Sequence, residues 1–159
     1  MSGYGPKRAW SYALYLLGRR SHTEAEIRER LSRKQAEREV IDDIIERLTR
    51  YRLVDDAAFA EAYVRTHRRR KGSIALRHEL RRKGVPEAMS ESALAPLSEP
   101  AQLTSASDLL ERNAWRFRTP RPERNRARAF AFLARRGFPT ETVAGALERA
   151  DWLSPAEPA

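Results

Sequence analysis

The sequence predicts an all-α protein of three tandem three-helix repeats forming an elongated, curved body. Three observations carry this expectation. Apolar residues recur with a helical period along the chain, as in Ile41, Ile44, Ile45 and Leu48, the i, i+3, i+4, i+7 stripe of an amphipathic helix. No segment holds a period of two, so no strand is expected. A leucine followed by basic residues and then a turn recurs three times: Leu31 before Arg33 and Lys34, Leu80 before Arg81, Arg82 and Lys83, and Leu133 before Arg135 and Arg136. These leucines are 49 and 53 residues apart, a spacing suited to stacked repeats.

Each helix has its own signal. Trp10, Leu14 and Leu17 line one face of the first. Thr23 followed by Glu26 is a capping-box pattern opening the second, which carries Ile27 and Leu31. The third, over 37–50, holds the isoleucine stripe. Asp55 is a candidate N-cap for the fourth, with Val54 and Phe59 at the hydrophobic-staple positions. That helix runs through Ala60 and Tyr63 towards Arg70, and Lys71-Gly72-Ser73 breaks it. Ser73 caps a fifth helix carrying Leu76 and Leu80, and Gly84 suits the residue just past its end. Pro86 fits the first turn of a sixth, over 87–97, with Met89, Ala93 and Leu94. Residues 95–105, with Pro96 and Pro100, read as a linker. A seventh helix is expected over 107–117 and an eighth over 128–136, with Phe130, Phe132 and Leu133. A ninth holds Val143 and Leu147, and Pro120, Pro122 and Pro139 mark the breaks. The division that follows is a tail at 1–8, repeats at 9–52, 53–98 and 99–153, and a tail at 154–159. A unit of about 50 residues buries little core alone, so neighbours must share apolar faces.

Of 159 residues, 31 are Lys or Arg and 22 are Asp or Glu, a net charge of +9. Hydrophobic residues make up 41%, which excludes a disordered polymer. The surplus of positive charge points to a polyanionic partner, nucleic acid or an acidic protein surface; the plainer alternative is a merely solvated, arginine-rich surface. There is no cysteine, which removes disulfides, thiolate nucleophiles and cysteine zinc sites. Met1 to Arg8 carry Gly3, Gly5 and Pro6 rather than an apolar run, unlike a signal peptide. No stretch is long enough to span a bilayer. A cytoplasmic protein without membrane contact is expected.

Four segments bear a family resemblance. Leu53-Val54-Asp55-Asp56-Ala57-Ala58-Phe59-Ala60 resembles the L-x-D-D-x-x-F-A block of RecX proteins. Residues 71–85, with Lys71, Gly72, Leu76, Glu79, Leu80, Lys83 and Gly84, are similar to that family's K-G-x-x-x-I/L-x-x-E-L-x-x-K-G-I/V block. Phe132-Leu133-Ala134-Arg135-Arg136-Gly137-Phe138 resembles its final F-L-x-x-R-G-F/Y element. Arg20 to Ile27 fit its R-x-x-S/T-x-x-E-L pattern with slight variation. The match spans roughly 9–150, and its first two blocks are the most specific. The resemblance implies tandem three-helix repeats and a non-enzymatic regulator, mainly inhibitory, of the RecA recombinase in DNA repair, homologous recombination and the SOS response. It implies binding along the RecA–single-stranded DNA filament, limiting its growth, ATPase and strand exchange. The short segment before the first helix departs from members with longer N-terminal extensions. In this resemblance Asp55, Asp56, Phe59, Gly72, Glu79, Leu80 and Gly84 are structural motif positions.

The residues themselves point to a basic binding face. Arg65, Arg68, Arg69, Arg70, Lys71, Arg77, Arg81, Arg82 and Lys83 lie in a window whose only acid is Glu79, and such blocks often mark interaction surfaces. Arg124, Arg126, Arg128, Arg135 and Arg136, with Arg116 and Arg118 nearby, form a second group, and Arg19, Arg20, Arg33 and Lys34 a smaller third. Guanidinium forks pair with phosphates and carboxylates alike, so a DNA backbone and an acidic filament surface both fit. Placement at helix C-termini, where cations complement the dipole, is the simpler account. Single-stranded DNA is the expected nucleic acid, with non-specific duplex binding as a second option, and a monomer is the default.

No cofactor, ATP or metal site is expected. The acids Asp42, Asp43, Glu46, Asp55 and Asp56 lack further ligands at metal spacing and suit caps and first turns better. His22, His67 and His78 are dispersed and read as exposed or capping. Trp10, Tyr12, Tyr15, Tyr63, Trp115 and Trp152 offer faces for base stacking, but helical phase assigns several of them to the core. The rival reading is a helix-turn-helix transcription regulator. It would need recognition helices with polar N-terminal turns, whereas the helices at 37–50 and 87–97 start acidic or apolar.

Overall fold

The computed structural model describes residues 3–154, and the ends of the two expected tails, 1–2 and 155–159, lie outside the described residues. Among the described residues nine α-helices follow in order: α1 (Pro6–Arg19), α2 (Glu24–Arg33), α3 (Arg38–Arg50), α4 (Asp56–His67), α5 (Ser73–Arg82), α6 (Glu87–Leu94), α7 (Glu99–Arg112), α8 (Pro122–Arg135) and α9 (Thr140–Arg149). No strand occurs among them. Short 3-10 turns cover Ala114–Arg116 and Asp151–Leu153. The chain divides into two compact units, one of residues 1–63 and 79–93, the other of 64–78 and 94–159.

In the first unit α1, α2 and α3 enclose Ala9, Ala13, Leu16, Ile27, Leu31, Ile41, Ile44, Ile45, Leu48 and Val54. The α1 face differs from the expected one by a residue. Alanines at 9 and 13 are fully buried, whereas Leu14 is 39% exposed. Small side chains let the α1 backbone approach its neighbours, and Trp10 and Leu17 close the rim. The core of the second unit includes Leu109, Leu110, Phe117, Phe132, Leu133, Phe138, Val143 and Leu147, from α7, α8, α9 and the turns between.

The helix ends explain the repeat. In α2, α5 and α8 the third residue past the helix donates its N–H to the carbonyl of the recurring leucine: Ala36 to Leu31 at 3.1 Å, Val85 to Leu80 at 3.0 Å and Phe138 to Leu133 at 3.4 Å. This is the six-to-one bond of a Schellman motif, which needs a left-handed residue between. Gln35 (φ 62°), Gly84 (φ 78°) and Gly137 (φ 82°) fill that position. All three leucines are fully buried, so each anchors a core at the point where its helix stops.

Several starts follow the sequence. The Thr23 hydroxyl accepts from the Glu26 N–H at 3.1 Å, but the Glu26 carboxylate pairs with Arg20 at 2.7 Å instead of completing the capping box. Asp55 accepts from the Ala58 N–H at 3.0 Å as an N-cap. Several boundaries differ, among them the ends of α4 at His67, α6 at Leu94 and α7 at Arg112, short of the expected 70, 97 and 117. The first helix starts at Pro6, whose fixed φ suits a first turn. The expected linker over 95–105 is mostly helix: Ser98 accepts from the Ala101 N–H at 3.3 Å, and Pro100 falls in the first turn, where its missing N–H costs nothing. By the same logic Pro122 opens α8 six residues before the expected start at 128.

Candidate nucleic-acid interface

In the second unit the backbone brings two basic groups together. Gly72 donates its N–H to the Arg136 carbonyl at 2.9 Å, and Ile74 to that of Gly137 at 3.0 Å. The connection after α4 therefore docks on the turn after α8. Only glycine fits: a Cβ on Gly72 would lie 2.4 Å from the Gly137 oxygen and from the Phe138 Cα. One on Gly137 would lie 2.2 Å from the Ala75 Cβ, in a backbone conformation that side chains rarely adopt. The docking sets Arg68, Arg69, Arg70 and Lys71 beside Arg135 and Arg136. The Arg136 guanidinium reaches the Arg70 carbonyl at 3.5 Å, and that of Arg112 reaches the Arg69 carbonyl at 3.4 Å.

Aromatic rings hold part of this group. Phe117 and Phe132 are both buried, with centroids 5.5 Å apart. The guanidiniums of Arg116 and Arg136 lie 5.2 and 5.3 Å from the Phe132 centroid, and that of Arg128 lies 5.8 Å from Phe117. Stacking on a ring face fixes a guanidinium without consuming its N–H donors. Among the described residues no ion pair takes up Arg68, Arg69, Arg70, Arg124, Arg126, Arg128, Arg135 or Arg136. On α8, Arg124, Arg128 and Arg135 share a face by helical spacing, while Arg126 points away from it. Arg77 falls in this unit and is half-buried.

Sequence reasoning missed Arg112. Its signal, a basic residue in the last turn of a helix, was hidden by placing that helix too late. Arg112 lines an open cleft of about 690 Å³ with Arg68, Arg69, Thr104, Asp108 and Glu111. The carboxylates of Asp108 and Glu111 offset part of the charge of its three arginines, and Glu111 also accepts from the Trp152 indole N–H at 2.6 Å.

Arg81, Arg82 and Lys83 belong to the first unit. There the Thr23 hydroxyl donates to the Lys83 carbonyl at 2.5 Å, and Asp56 accepts from the Glu24 N–H at 2.9 Å. Gly84 repeats the constraint at Gly137, because its Cβ would lie 2.2 Å from that of Ala25. Tyr63 donates to Glu79 at 2.9 Å, and the Lys83 ammonium lies 5.5 Å from the Tyr63 ring. Burial, with help from the Glu79 carboxylate, pushes the Tyr63 phenol up to about 12.

The acids and histidines have structural roles, some of them unexpected. Asp42 pairs with Arg28 at 2.6 Å and Glu46 with Arg50 at 2.8 Å. Asp56 caps α2, and burial raises its carboxyl above the usual range. His22 corrects the expectation of exposed or capping histidines: it is 5% exposed and its Nδ1–H donates to the Arg20 carbonyl at 2.9 Å. Burial lowers its pKa. Among the described residues no three His, Cys, Asp or Glu side chains converge as metal ligands, and no helix is long and apolar enough to cross a membrane.

The chain matches the model of the first three-helix domain of RecX over residues 9–48 and that of the second over 55–94. It is 35% identical over 150 residues to the regulatory protein RecX of Prosthecochloris aestuarii, covering 93% of this chain and 97% of that one. It is 38% identical over 143 residues to that of Geobacillus kaustophilus, covering 89% of this chain but 53% of the relative; it thus spans about half the length of that protein. A crystal structure of RecX from Lactobacillus salivarius superposes with a TM-score of 0.81 at 24% identity, covering 92% of this chain and 96% of the other. A crystal structure of regulatory protein RecX gives 0.77 at 28% identity, covering 87% and 70%.

Proposed function

The chain belongs to the RecX family of regulatory proteins, and on that footing we propose that it is a non-enzymatic regulator of the RecA recombinase. It binds the recombinase filament on single-stranded DNA as a cytoplasmic monomer and restrains filament assembly, ATPase and strand exchange. The three-repeat division at 9–52, 53–98 and 99–153 is part of this reading.

One observation carries it. In the second unit, Arg70 and Arg136, 66 residues apart in sequence, are brought within hydrogen-bonding reach, and among the described residues no ion pair takes up Arg68, Arg69, Arg70, Arg135 or Arg136. Such a surface gains free energy mainly by displacing counterions from a phosphate backbone, without reading bases. In the first unit Arg81 and Arg82 are likewise exposed.

The test is recombinase ATPase on single-stranded DNA with and without the chain, beside binding to bare single strands, duplex and recombinase-coated strands. A fall in ATPase and preference for the coated strand are expected. Unchanged ATPase with sequence-selective duplex binding would overturn the proposal in favour of a transcription regulator.

A further inference from the structure

Along the flank of α1 beside its buried Ala9, Ala13 and Leu16, rings and cations alternate in one stripe. Arg8, Tyr12, Tyr15 and Arg19 follow at spacings of three and four residues within α1 and so fall on one helix face, and Tyr4, just before the helix, continues the stripe through its contact with Tyr12. The Tyr12 and Tyr15 rings are nearly parallel, 18° apart with centroids at 6.4 Å, and Tyr4 meets Tyr12 edge-on at 6.2 Å. Each ring has its own cation: Arg8 at 5.9 Å from Tyr4, Lys34 at 5.3 Å from Tyr12 and Arg19 at 5.8 Å from Tyr15.

Of the aromatics expected in the core, Tyr15 departs from that expectation, whereas Tyr12, like Tyr4, packs against the core of the first unit. Tyr15 is 57% exposed, and Tyr4 and Tyr12 are only partly buried. The cations are unusual too. Lys7, Arg8 and Arg19 are the charged residues of α1, which has no acid. Among the described residues no ion pair uses Lys7, Arg8, Arg19 or Lys34. Beside the stripe a hollow of about 400 Å³ is lined by Tyr4, Lys7, Arg8, Ser11 and Tyr12.

We propose that this face of α1 is a stacking platform for single-stranded DNA, in which Tyr12 and Tyr15 take bases while Arg8, Arg19 and Lys34 meet the phosphates between them. The stripe spans about 20 Å, room for a few nucleotides. Ring faces accept any base, so the site is sequence-tolerant. The lack of acids and the cation at each ring favour a strand carrying both phosphates and flat bases. A proline-rich peptide would use the rings but not the charges, and an acidic peptide the charges but not the rings. The platform lies wholly in the first unit and does not rest on the arginines of the second.

The experiment is fluorescence anisotropy of a labelled oligothymidylate with the full chain over a salt series. Tyr15→Ala is expected to weaken binding about five- to tenfold without changing the salt slope, while Tyr15→Phe retains it. Arg19→Gln is expected to lower the slope by roughly 0.7, one phosphate contact on a single strand. An abasic strand of equal length is expected to bind wild type no better than the intact strand binds Tyr12→Ala/Tyr15→Ala. Tyr15 is mostly exposed, so circular dichroism of Tyr15→Ala should match wild type. Arg135→Gln/Arg136→Gln tests the second unit separately and should leave the Tyr15→Ala ratio intact. Equal binding of abasic and intact strands, or wild-type affinity in the tyrosine variants, overturns the platform whatever the recombinase assays give.

Discussion

Replacing Gly72 with alanine tests the docking that assembles the basic surface. The new methyl would lie 2.4 Å from the Gly137 oxygen and the Phe138 Cα, and 2.5 Å from the Phe138 nitrogen. These are backbone atoms, which cannot swing aside as a flexible side chain would. Relief requires the connection after α4 to move off the turn after α8. Overpacking of this kind costs about 1–3 kcal/mol, and the two bonds from Gly72 and Ile74 are worth about 1 kcal/mol each. The expected loss is about 3–5 kcal/mol. At an m-value of about 2 kcal/mol per molar, the urea midpoint followed by circular dichroism falls by about 1.5–2.5 M. Gly18 is the control. It is helical with nothing within 4 Å of an added Cβ, so Gly18→Ala should stabilise by up to about 1 kcal/mol. Gly72→Ala should also weaken single-stranded DNA binding, because Arg68–Lys71 part from Arg135 and Arg136. An unchanged midpoint and unchanged binding in Gly72→Ala would refute this reasoning.

Three further outcomes follow from the helix ends and the buried titratable groups. Gln35 holds φ at 62° where α5 and α8 place glycine; Gln35→Gly should raise the urea midpoint, relieving about 1 kcal/mol of left-handed strain less the entropy glycine adds to the unfolded chain. Asp55→Ala should cost about 1 kcal/mol by removing the α4 N-cap, while Asp55→Asn, which still accepts the Ala58 N–H, should cost little. Burial holds the folded-state pKa of His22 below its ordinary value of 6.5, so the unfolded chain takes up the proton first. Stability should therefore decline as pH drops through and below about 6.5, with a shallower decline in His22→Gln; identical pH profiles would remove His22 as the cause.

The sequence showed the helices well because their signals are local. Ile41, Ile44, Ile45 and Leu48 repeat at helical spacing and are all buried, and Thr23 and Asp55 cap where their side chains can reach. The repeat was legible through Leu31, Leu80 and Leu133 because a Schellman end imposes an apolar residue, then basic ones, then a left-handed turn. What stayed hidden depends on other parts of the chain. Prolines 100 and 122 read as breakers but sit in first turns, which only the caps before them or the packed helix reveals. The buried face of α1 rests on alanines, which carry little hydrophobic signal. His22 looked exposed because nothing nearby in sequence shows that it is enclosed. The basic residues were visible as a list, but the meeting of Arg70 with Arg136 rests on Gly72 and Gly137, whose close approach no local pattern encodes.

The most direct test is the salt dependence of binding to recombinase-coated single-stranded DNA, wild type against Arg69→Gln/Arg70→Gln, Arg135→Gln/Arg136→Gln and all four together. One shared phosphate-binding surface lowers the slope of log affinity against log salt in each pair, and in the fourfold variant by up to about 0.7 per lost contact. Slopes equal to wild type in all three variants would contradict it.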